Sequence, residues 1–462
     1  MKISFHGAAQ GVTGSCHLLS CAGKQIQIDC GMYQGSRELV EDNANDFGFD
    51  PAEIDYLLLT HAHLDHCGRI PLLANRGFQG EIITTAASRE LARLVMMDSA
   101  GLQEEEARYR NRRARRRGRE ETFQPLYTTL DTFNALEYFG RKAHYDQPLQ
   151  LAPGIRATFF DAGHILGSAS ILLELEEGGE TRRVVFSGDL GLGSRPILRD
   201  PVMPPPVDVV VMETTYGDRA HKELQPSVEE LYDAINATVK RGGNVVIPTF
   251  ALERAQEILF YLHAGKEQGI LPEVLQVFLD SPMAISATEI FKHHRECYDE
   301  QTAELFRTGN DPFLFNGLHF TRETAESMAI NQVAGGAVIM AGSGMCTGGR
   351  VRHHLKHNLG REHSSVIFVG YAAQGTLARR IVDGAKNVDI FGEDYAVRAQ
   401  IHTIGGFSAH AGQTELLAWH GHTGNPGVTF LVHGEKDSMA TFGSLLRNTR
   451  VEMPQLHQAF DL

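Results

Sequence analysis

Several features are absent from this sequence of 462 residues, and each absence excludes a class of protein. No apolar run approaches the ~18 to 20 residues that a membrane span requires. The N-terminal stretch MKISFHGAAQGVTGS lacks the charged and then apolar layout of a secretory signal, so we expect a cytoplasmic protein. No CxxC pair occurs, so the cysteines predict reduced, mostly buried thiols rather than disulfides or a thiolate zinc site. They are Cys16, Cys21, Cys30, Cys67, Cys297 and Cys346.

A positive net charge is also absent, since the formal charge is -14, whereas nucleic-acid binders are usually basic. The charge is unevenly spread, however. Residues 104–121, EEEARYRNRRARRRGREE, hold eight arginines against five glutamates. This segment is either a solvated helix with Glu/Arg pairs at helical spacing or a patch that contacts phosphates. Overall acidity therefore does not decide the partner.

Short apolar runs that end abruptly in a polar or glycine-containing loop recur along the chain, which is typical of buried strands. They cover residues 24–31, 54–63, 155–164, 182–191, 207–217 and 428–435. Helices are expected at 88–117 and near 130–140. The prolines in residues 195–208 predict an irregular connection, because proline cannot lie inside a helix or a central strand.

Between residues 218 and 389 the pattern changes to four strand-then-helix units, which predict a mostly parallel sheet flanked by helices. Another apolar run, VTFLVHGE, appears only after residue 427, so the first domain is expected to resume there. The predicted class is α/β. The predicted domains are 1–217, an inserted module at 218–389, and a C-terminal part of the first domain at 390–462.

The stretch LLLTHAHLDHCGRIP places His61, His63, Asp65 and His66 within six positions, directly after an apolar run. Four ionisable groups cannot be buried together without partners, whereas a strand-end loop lets them converge on a metal. Imidazole nitrogens with one or two carboxylates suit zinc, and manganese or iron fits less well. Further candidate ligands end other strands, enough for two metals bridged by a carboxylate that hold a hydroxide between them. They are His164, Asp189 and His433.

The segment THAHLDHCGRIP resembles the signature of the metallo-β-lactamase superfamily, and nearly the whole chain resembles its β-CASP branch of nucleic-acid hydrolases. The resemblance implies an αββα sandwich with an inserted α/β β-CASP domain. It implies that Asp29, in IDCG, orients the metal cluster. The implied ligands are His61, His63 and His164 for one metal and Asp65, His66 and His433 for the other, with Asp189 touching both.

Two further segments resemble motifs of the same branch, METTYGDR with Glu213 and GFSAHAGQ with His410. In the family such a glutamate is paired with such a histidine, and the histidine can protonate the departing oxygen. Cleavage of a phosphodiester requires such a proton donor, because it leaves an alkoxide. With Asp29 and Asp65, these two residues complete the expected catalytic set.

Two glycine-containing loops, GSGMCTGGR and GYAAQGTLARR, lie between a predicted strand and a predicted helix. Such loops expose backbone N–H groups that favour a phosphate, although tight turns also need glycine. In the β-CASP family the equivalent loops line the nucleic-acid channel. The candidate phosphate-binding residues are Ser343, Gly344, Arg350, Gly375, Thr376 and Arg379.

These observations predict a zinc-dependent ribonuclease with two zinc ions per chain and a hydroxide nucleophile held between them. RNA is favoured over DNA because RNA-acting members of the family keep a histidine at the position of His433. Relatives combine internal cleavage with 5'-to-3' trimming, so the mode stays open. The alternatives are a thioester or lactam hydrolase of the same superfamily and an RNA-binding scaffold without activity. The sequence does not decide the oligomeric state, and a homodimer is one option.

Overall fold

The computed structural model describes residues 1–35, 37–118, 122–370 and 372–462 and divides the chain into two compact units. Unit 1 comprises Met1–Ser194, Asp200–Ala220 and His410–Leu462. Unit 2 comprises Arg195–Arg199 and His221–Ala409. The boundary predicted at residue 390 thus falls inside unit 2, which continues to Ala409 because a late strand joins its sheet.

The regular elements have the following bounds. The strands are β1 (Lys2–Gly7), β2 (Cys16–Cys21), β3 (Lys24–Ile28), β4 (Tyr56–Leu58), β5 (Glu81–Thr85), β6 (Phe139–Ala143), β7 (Leu149–Ala152), β8 (Ile155–Asp161), β9 (Ala169–Glu177), β10 (Glu180–Phe186), β11 (Val209–Glu213), β12 (Val245–Pro248), β13 (Gln276–Leu279), β14 (Leu318–Phe320), β15 (Ala337–Ala341), β16 (Ser365–Phe368), β17 (Asn387–Ile390), β18 (Glu393–Ala396), β19 (Gln400–Thr403), β20 (Val428–Val432), β21 (Arg450–Glu452) and β22 (Ala459–Asp461). The helices are α1 (Arg37–Glu41), α2 (Leu64–Cys67), α3 (Ile70–Asn75), α4 (Ala86–Arg116), α5 (Thr129–Ala135), α6 (Leu224–Lys240), α7 (Arg254–Glu267), α8 (Pro282–His293), α9 (Glu300–Arg307), α10 (Thr324–Ile330), α11 (Val351–Asn358), α12 (Leu377–Val382), α13 (Gln413–Gly421) and α14 (Lys436–Leu445).

Unit 1 is built on two seven-stranded mixed sheets, in the orders β22-β1-β2-β3-β4-β5-β6 and β21-β20-β11-β10-β9-β8-β7. Their facing side chains form one apolar core, in which Phe5 of the first sheet contacts Phe430 of the second at 5.0 Å between ring centroids. Strands such as β11, with all five residues buried, are apolar throughout because both faces of the sheet are covered.

Helices cover the outer faces of this sandwich. On the second sheet, Trp419 of α13 and Phe442 of α14 are buried in a cluster with Val210 and Leu431. On the first sheet, α4 packs against β5 and β6. The layers therefore follow the order αββα, and the predicted fold class is confirmed.

Unit 2 contains a six-stranded parallel sheet in the order β14-β13-β15-β12-β16-β19. The four predicted strand-then-helix units are β12 with α7, β13 with α8, β15 with α11 and β16 with α12. Strand β19 pairs with β16 and extends this sheet beyond the predicted boundary. Residues 195–208 contain no helix or strand, as their prolines predict.

Two further observations concern the whole chain. No helix within the described ranges is both long and apolar enough to cross a membrane. All six cysteines are free and buried. Burial raises the pKa of the Cys30 thiol to about 12, so this group is protonated at neutral pH.

Candidate metal centre

The candidate ligands of unit 1 lie in loops that follow the ends of strands. His61 and His63 follow β4, and α2, which begins at Leu64, presents Asp65 and His66 one turn later. The other candidates follow strands that are distant in sequence. Asp29 follows β3, His164 follows β8, Asp189 follows β10, Glu213 ends β11 and His433 follows β20.

The first group of donors consists of His61, His63, His164 and Asp189. His63 Nδ1 lies 3.1 Å from His61 Nε2 and 3.2 Å from His164 Nε2. Asp189 Oδ2 lies 3.4 Å from His61 Nε2 and 3.6 Å from His164 Nε2. These four side chains therefore point their ligand atoms at one common volume.

The second group consists of Asp65, His66 and His433. His433 Nε2 lies 3.2 Å from His66 Nε2 and 3.4 Å from Asp65 Oδ2. Asp189 reaches this group as well, because its Oδ2 is 3.3 Å from His66 Nε2 and its Oδ1 is 3.6 Å from His433 Nδ1. One carboxylate thus lies between two sets of donors.

The spacing of these donors fits metal ions. Tetrahedral zinc with bonds of about 2.0 to 2.1 Å separates its ligand atoms by about 3.3 Å, which is close to the distances in both groups. Asp189 Oδ1 is buried and makes no hydrogen bond to any described residue. A bound metal ion would give this buried oxygen a partner. The cluster can therefore bind metal.

The protonation of the first group also suits a metal. Burial lowers the pKa of His61 to about 4 and that of His63 to about 3, so both imidazoles are neutral at pH 7. Burial opposes the charge of Asp189, but the surrounding histidines, His433 first, hold the pKa of this carboxyl well below its usual value. Neutral imidazole and ionised carboxylate are the forms that bind metal.

A histidine-glutamate pair lies beside the donors. His410 Nδ1 is 3.3 Å from Glu213 Oε2 and 3.9 Å from Asp189 Oδ2. Glu213 is fully buried, and its Oε1 accepts a hydrogen bond of 2.6 Å from the Leu190 N–H. Burial opposes the charge of His410, but the Glu213 carboxylate outweighs it and raises the pKa of His410 to about 9. At neutral pH this imidazole carries a proton that it can donate.

Comparison with known protein families gives three matches along the chain. Residues 12–249 match the model described as the metallo-beta-lactamase superfamily. Residues 255–381 match the Beta-Casp domain, and residues 394–454 match a Zn-dependent metallo-hydrolase RNA specificity domain.

Characterised relatives agree with these matches. The protein named Ribonuclease TTHA0252 from Thermus thermophilus is 40% identical over 96% of this chain and 96% of its own length. The Transcription termination factor FttA of Methanocaldococcus jannaschii is 30% identical over 97% of this chain and 69% of its own length. The chain belongs to the β-CASP branch of the metallo-β-lactamase superfamily, a family of metallo-hydrolases.

A solved structure supports the fold alone. A protein of unknown function from Enterococcus faecalis V583, known from its crystal structure, matches with a TM-score of 0.55 at 12% identity. The match covers 100% of this chain and 99% of that one. This likeness concerns the fold and carries no conclusion about function.

Asp29 contacts the candidate ligand His66 from outside the two donor groups. Its Oδ2 lies 2.7 Å from His66 Nδ1, which leaves His66 Nε2 facing the metal volume. Its Oδ1 accepts a 2.8 Å hydrogen bond from the Thr60 N–H. Asp29 and His433 both adopt positive φ, 59° and 48°, a conformation that is costly for residues other than glycine and that clusters at functional sites.

Two threonines next to the donor groups were not predicted from the sequence. The hydroxyl of Thr60 lies between Asp29 and His61, 3.0 Å from His61 Nδ1. Thr215 Oγ1 lies 3.1 Å from His433 Nδ1. Thr60 directly precedes His61, and Thr215 lies two residues after Glu213. This proximity to predicted site residues is the only sequence signal that could have identified them.

The candidate phosphate-binding residues lie in unit 2 and are largely engaged. Arg350 donates to Asp280 Oδ1 at 2.8 Å and to backbone carbonyls, and Arg379 pairs with Asp383 at 2.8 Å. Thr376 caps α12 by accepting from the Arg379 N–H at 3.2 Å. Neither arginine is a free cation, and phosphate binding by these residues stays a prediction.

The other two glycine-loop candidates have a different environment. Gly344 lies against the ring of Phe250, which is half exposed, and a Cβ at Gly344 would approach that ring to 2.9 Å. Ser343 and Thr347 place their hydroxyl oxygens 3.5 Å apart in the same loop. Gly375 has a φ of +80°, which explains glycine at that turn without a ligand.

Proposed function

We propose that this protein is a ribonuclease that binds two zinc ions per chain and hydrolyses RNA phosphodiester bonds. The observation that carries the proposal is the position of Asp189 between two sets of donors, each the size of one metal site. Nitrogen-rich donors with carboxylates favour zinc over manganese. RNA as the substrate is supported by the relative named Ribonuclease TTHA0252, which aligns over nearly the full length of both chains.

The two metals would make a water molecule nucleophilic at neutral pH and neutralise charge on the phosphate. The side chains around the metals would position them and supply the proton for the leaving group. Asp189 holds the two donor groups at a fixed separation, and Asp29 fixes the ring of His66 through its 2.7 Å contact. His410, charged through Glu213, donates its proton to the departing 3'-oxygen, so that no free alkoxide forms.

The relatives named Transcription termination factor FttA also support nucleic acid as the partner. This chain spans 69% of the length of the Methanocaldococcus jannaschii protein, against 96% for the Thermus thermophilus ribonuclease. We therefore propose the ribonuclease activity, acting on cytoplasmic RNA, and both internal cleavage and 5'-to-3' trimming are compatible with the site.

The test is incubation of zinc-loaded protein with the same RNA labelled at the 5' end or at the 3' end, and with DNA of the same sequence. We expect cleavage of RNA and little or no cleavage of DNA. Laddered products from both labels would show internal cleavage, whereas release of the 5'-terminal nucleotide alone would show trimming. Intact RNA in the presence of two bound zinc equivalents would contradict the proposal.

A further inference from the structure

The C-terminal half of α4 and the residue after it carry a cluster of arginines, most of which have no acidic partner among the described residues. From residue 108 to residue 117 the chain has seven arginines and no acidic residue. Arg108 and Arg110 pair with Glu104 and Glu106, at 3.9 and 2.7 Å. The other five are exposed, and none of their side chains forms a hydrogen bond or ion pair with a residue in the described ranges. They are Arg112, Arg113, Arg115, Arg116 and Arg117. Arg119, Glu120 and Glu121 of the predicted segment lie outside those ranges.

Helix stability alone does not account for this cluster. Arg112 and Arg116, like Arg113 and Arg117, are four residues apart, so they repel each other on the helix surface. The negative end of the helix dipole favours cations in the last turn, but this effect is modest, screened by salt and confined to that turn. Five exposed arginines without a side-chain partner among the described residues, in a chain of net charge -14, form a local surface that favours an anionic ligand.

We propose that the basic end of α4, residues Arg108 to Arg117, binds the backbone of single-stranded RNA outside the metal centre. The inference rests on the proposed ribonuclease function. Tyr109 lies between Arg108 and Arg110 and is 52% exposed, which offers an aromatic face for a base beside guanidinium groups for phosphates. This combination suits a single strand more than an acidic protein surface.

The basic end is held in place by the segment that follows it. Asn111 donates to the Phe123 carbonyl at 2.9 Å and accepts from the Phe123 N–H at 2.7 Å. Ala107 and Ala114 are buried on the same helix, and Arg110 lies over the Phe123 ring at 5.6 Å. The arginines are therefore presented from a fixed surface, which lowers the entropic cost of binding.

The start of α4 is tied to the metal centre. The hydroxyls of Thr85 and Ser88 donate to the Gly167 carbonyl at 2.7 and 2.8 Å, in the loop that carries His164. From Ala86 to Arg112 the helix rises about 39 Å at about 1.5 Å per residue. At about 3.4 Å per stacked nucleotide, that distance corresponds to about 11 nucleotides. A stacked RNA strand of roughly that length can contact both sites, whereas a much shorter stacked strand cannot.

The test compares two charge-matched variants in binding to unstructured RNA. The first replaces four of the five arginines that have no side-chain partner in the described ranges: Arg112→Gln, Arg113→Gln, Arg115→Gln and Arg116→Gln. The control removes the same charge from exposed or partly exposed arginines that have partners elsewhere in unit 1: Arg156→Gln, Arg182→Gln, Arg447→Gln and Arg450→Gln. Affinity of the metal-free protein is measured by fluorescence anisotropy at several salt concentrations, with oligouridylates of about 6 and about 24 nucleotides.

For the longer RNA we expect the first variant to bind roughly tenfold or more weakly, with a salt slope reduced by up to about 2.8, which is about 0.7 for each lost cation. The control should keep the slope of the unaltered protein. Lysine at the same four positions should restore most of the slope, which separates loss of charge from loss of helix structure. The glutamine variant should lose less affinity and less salt slope for the shorter RNA than for the longer one, because the shorter RNA makes fewer phosphate contacts.

Equal salt slopes for the unaltered protein and the glutamine variant with the longer RNA would overturn the inference. Cleavage of the longer RNA by zinc-loaded, unaltered protein is measured in parallel. If this cleavage is absent, the proposed function fails, whereas the binding comparison still decides the role of the helix.

Discussion

Asp189 is the residue on which the two donor groups depend. Its Oδ2 lies within 3.6 Å of His61, His66 and His164, so no other carboxylate in the described residues is placed to serve both groups as closely. Without it, five buried or half-buried imidazoles would face one another with only Asp65 as a counter-charge in the donor groups. We therefore expect this carboxylate both to bind metal and to stabilise the histidines around it.

The first prediction concerns this residue. Asp189→Ala should lower the zinc content below two per chain and reduce RNA cleavage by roughly a thousandfold or more, because metal position and phosphate neutralisation are both lost. Elemental analysis and single-turnover cleavage measure the two effects. Asp437→Ala, at an exposed position of α14, is the control and should change neither. Full zinc content in Asp189→Ala would contradict the bridging position.

His410 differs from the donors because it faces Glu213 rather than the shared metal volume. His410→Gln should slow cleavage by about 10² to 10⁴-fold while both metals stay bound, since only the proton donor is removed. His422→Gln, at an exposed histidine of the same unit, is the matched control. An unaltered rate in His410→Gln would show that another group donates the proton.

At the scale of elements, a buried carboxylate holds α11 to the sheet of unit 2. Asp280 follows β13 and is fully buried. It accepts hydrogen bonds from Ser327 at 2.6 Å and Thr321 at 2.8 Å, and it pairs with Arg350 at 2.8 Å and His354 at 2.6 Å. Burial opposes its charge, but these donors, His354 first, lower the pKa of Asp280 to about 2.

This pKa predicts a dependence of stability on pH. Because the folded-state pKa lies below the ordinary value of 3.8, the ionised carboxylate stabilises unit 2 above about pH 4, and the contribution of about 2 kcal/mol is lost as the pH falls toward 2. Asp280→Asn should therefore destabilise the sheet most at pH 7 and by roughly half as much at pH 3. Native-state hydrogen exchange at β13 and β15 measures the difference.

The control for this prediction is Asp383→Asn, at an exposed carboxylate that pairs with Arg379 in the same unit. Exposed pairs contribute about 0 to 1 kcal/mol, so this variant should change exchange little at either pH. A pH-independent effect of Asp280→Asn would mean that packing, rather than ionisation, accounts for its contribution.

At the scale of the whole molecule, the donors all belong to unit 1, although they come from both halves of the chain that flank unit 2. His433 joins the group only because β20 pairs with β11 in the second sheet. Metal bound there would link strands that are far apart in sequence and stabilise unit 1 selectively.

Removal of metal should therefore have a local effect. With zinc at about 1,000 times its Kd, binding stabilises the folded state by about 4 kcal/mol, which a chelator abolishes. We expect faster hydrogen exchange in β4, β8, β10 and β20 after chelation and no change in β12, β13 and β15. The Asp189→Ala variant should respond far less. A uniform response across both units would contradict selective binding in unit 1.

Local sequence was sufficient for the features whose residues are close together or repeat with a clear period. One short segment contains His61, His63, Asp65 and His66. The other candidate ligands follow apolar runs that can be recognised as buried strands from local sequence alone; they are His164, Asp189 and His433. The parallel sheet of unit 2 follows from its strand-then-helix alternation for the same reason.

Tertiary structure decided the features that depend on partners distant in the chain. The glycine loop and its arginines suggested phosphate contacts, yet Arg350 is paired with a carboxylate 70 residues away, because a fully buried Asp280 requires cations and hydrogen-bond donors. The hydroxyl of Thr60 beside Asp29, and the absence of described partners for the arginines at the end of α4, likewise became visible only once the strands and helices were packed. Sequence fixes which groups are available, whereas the three-dimensional arrangement fixes which charges are neutralised and which remain free.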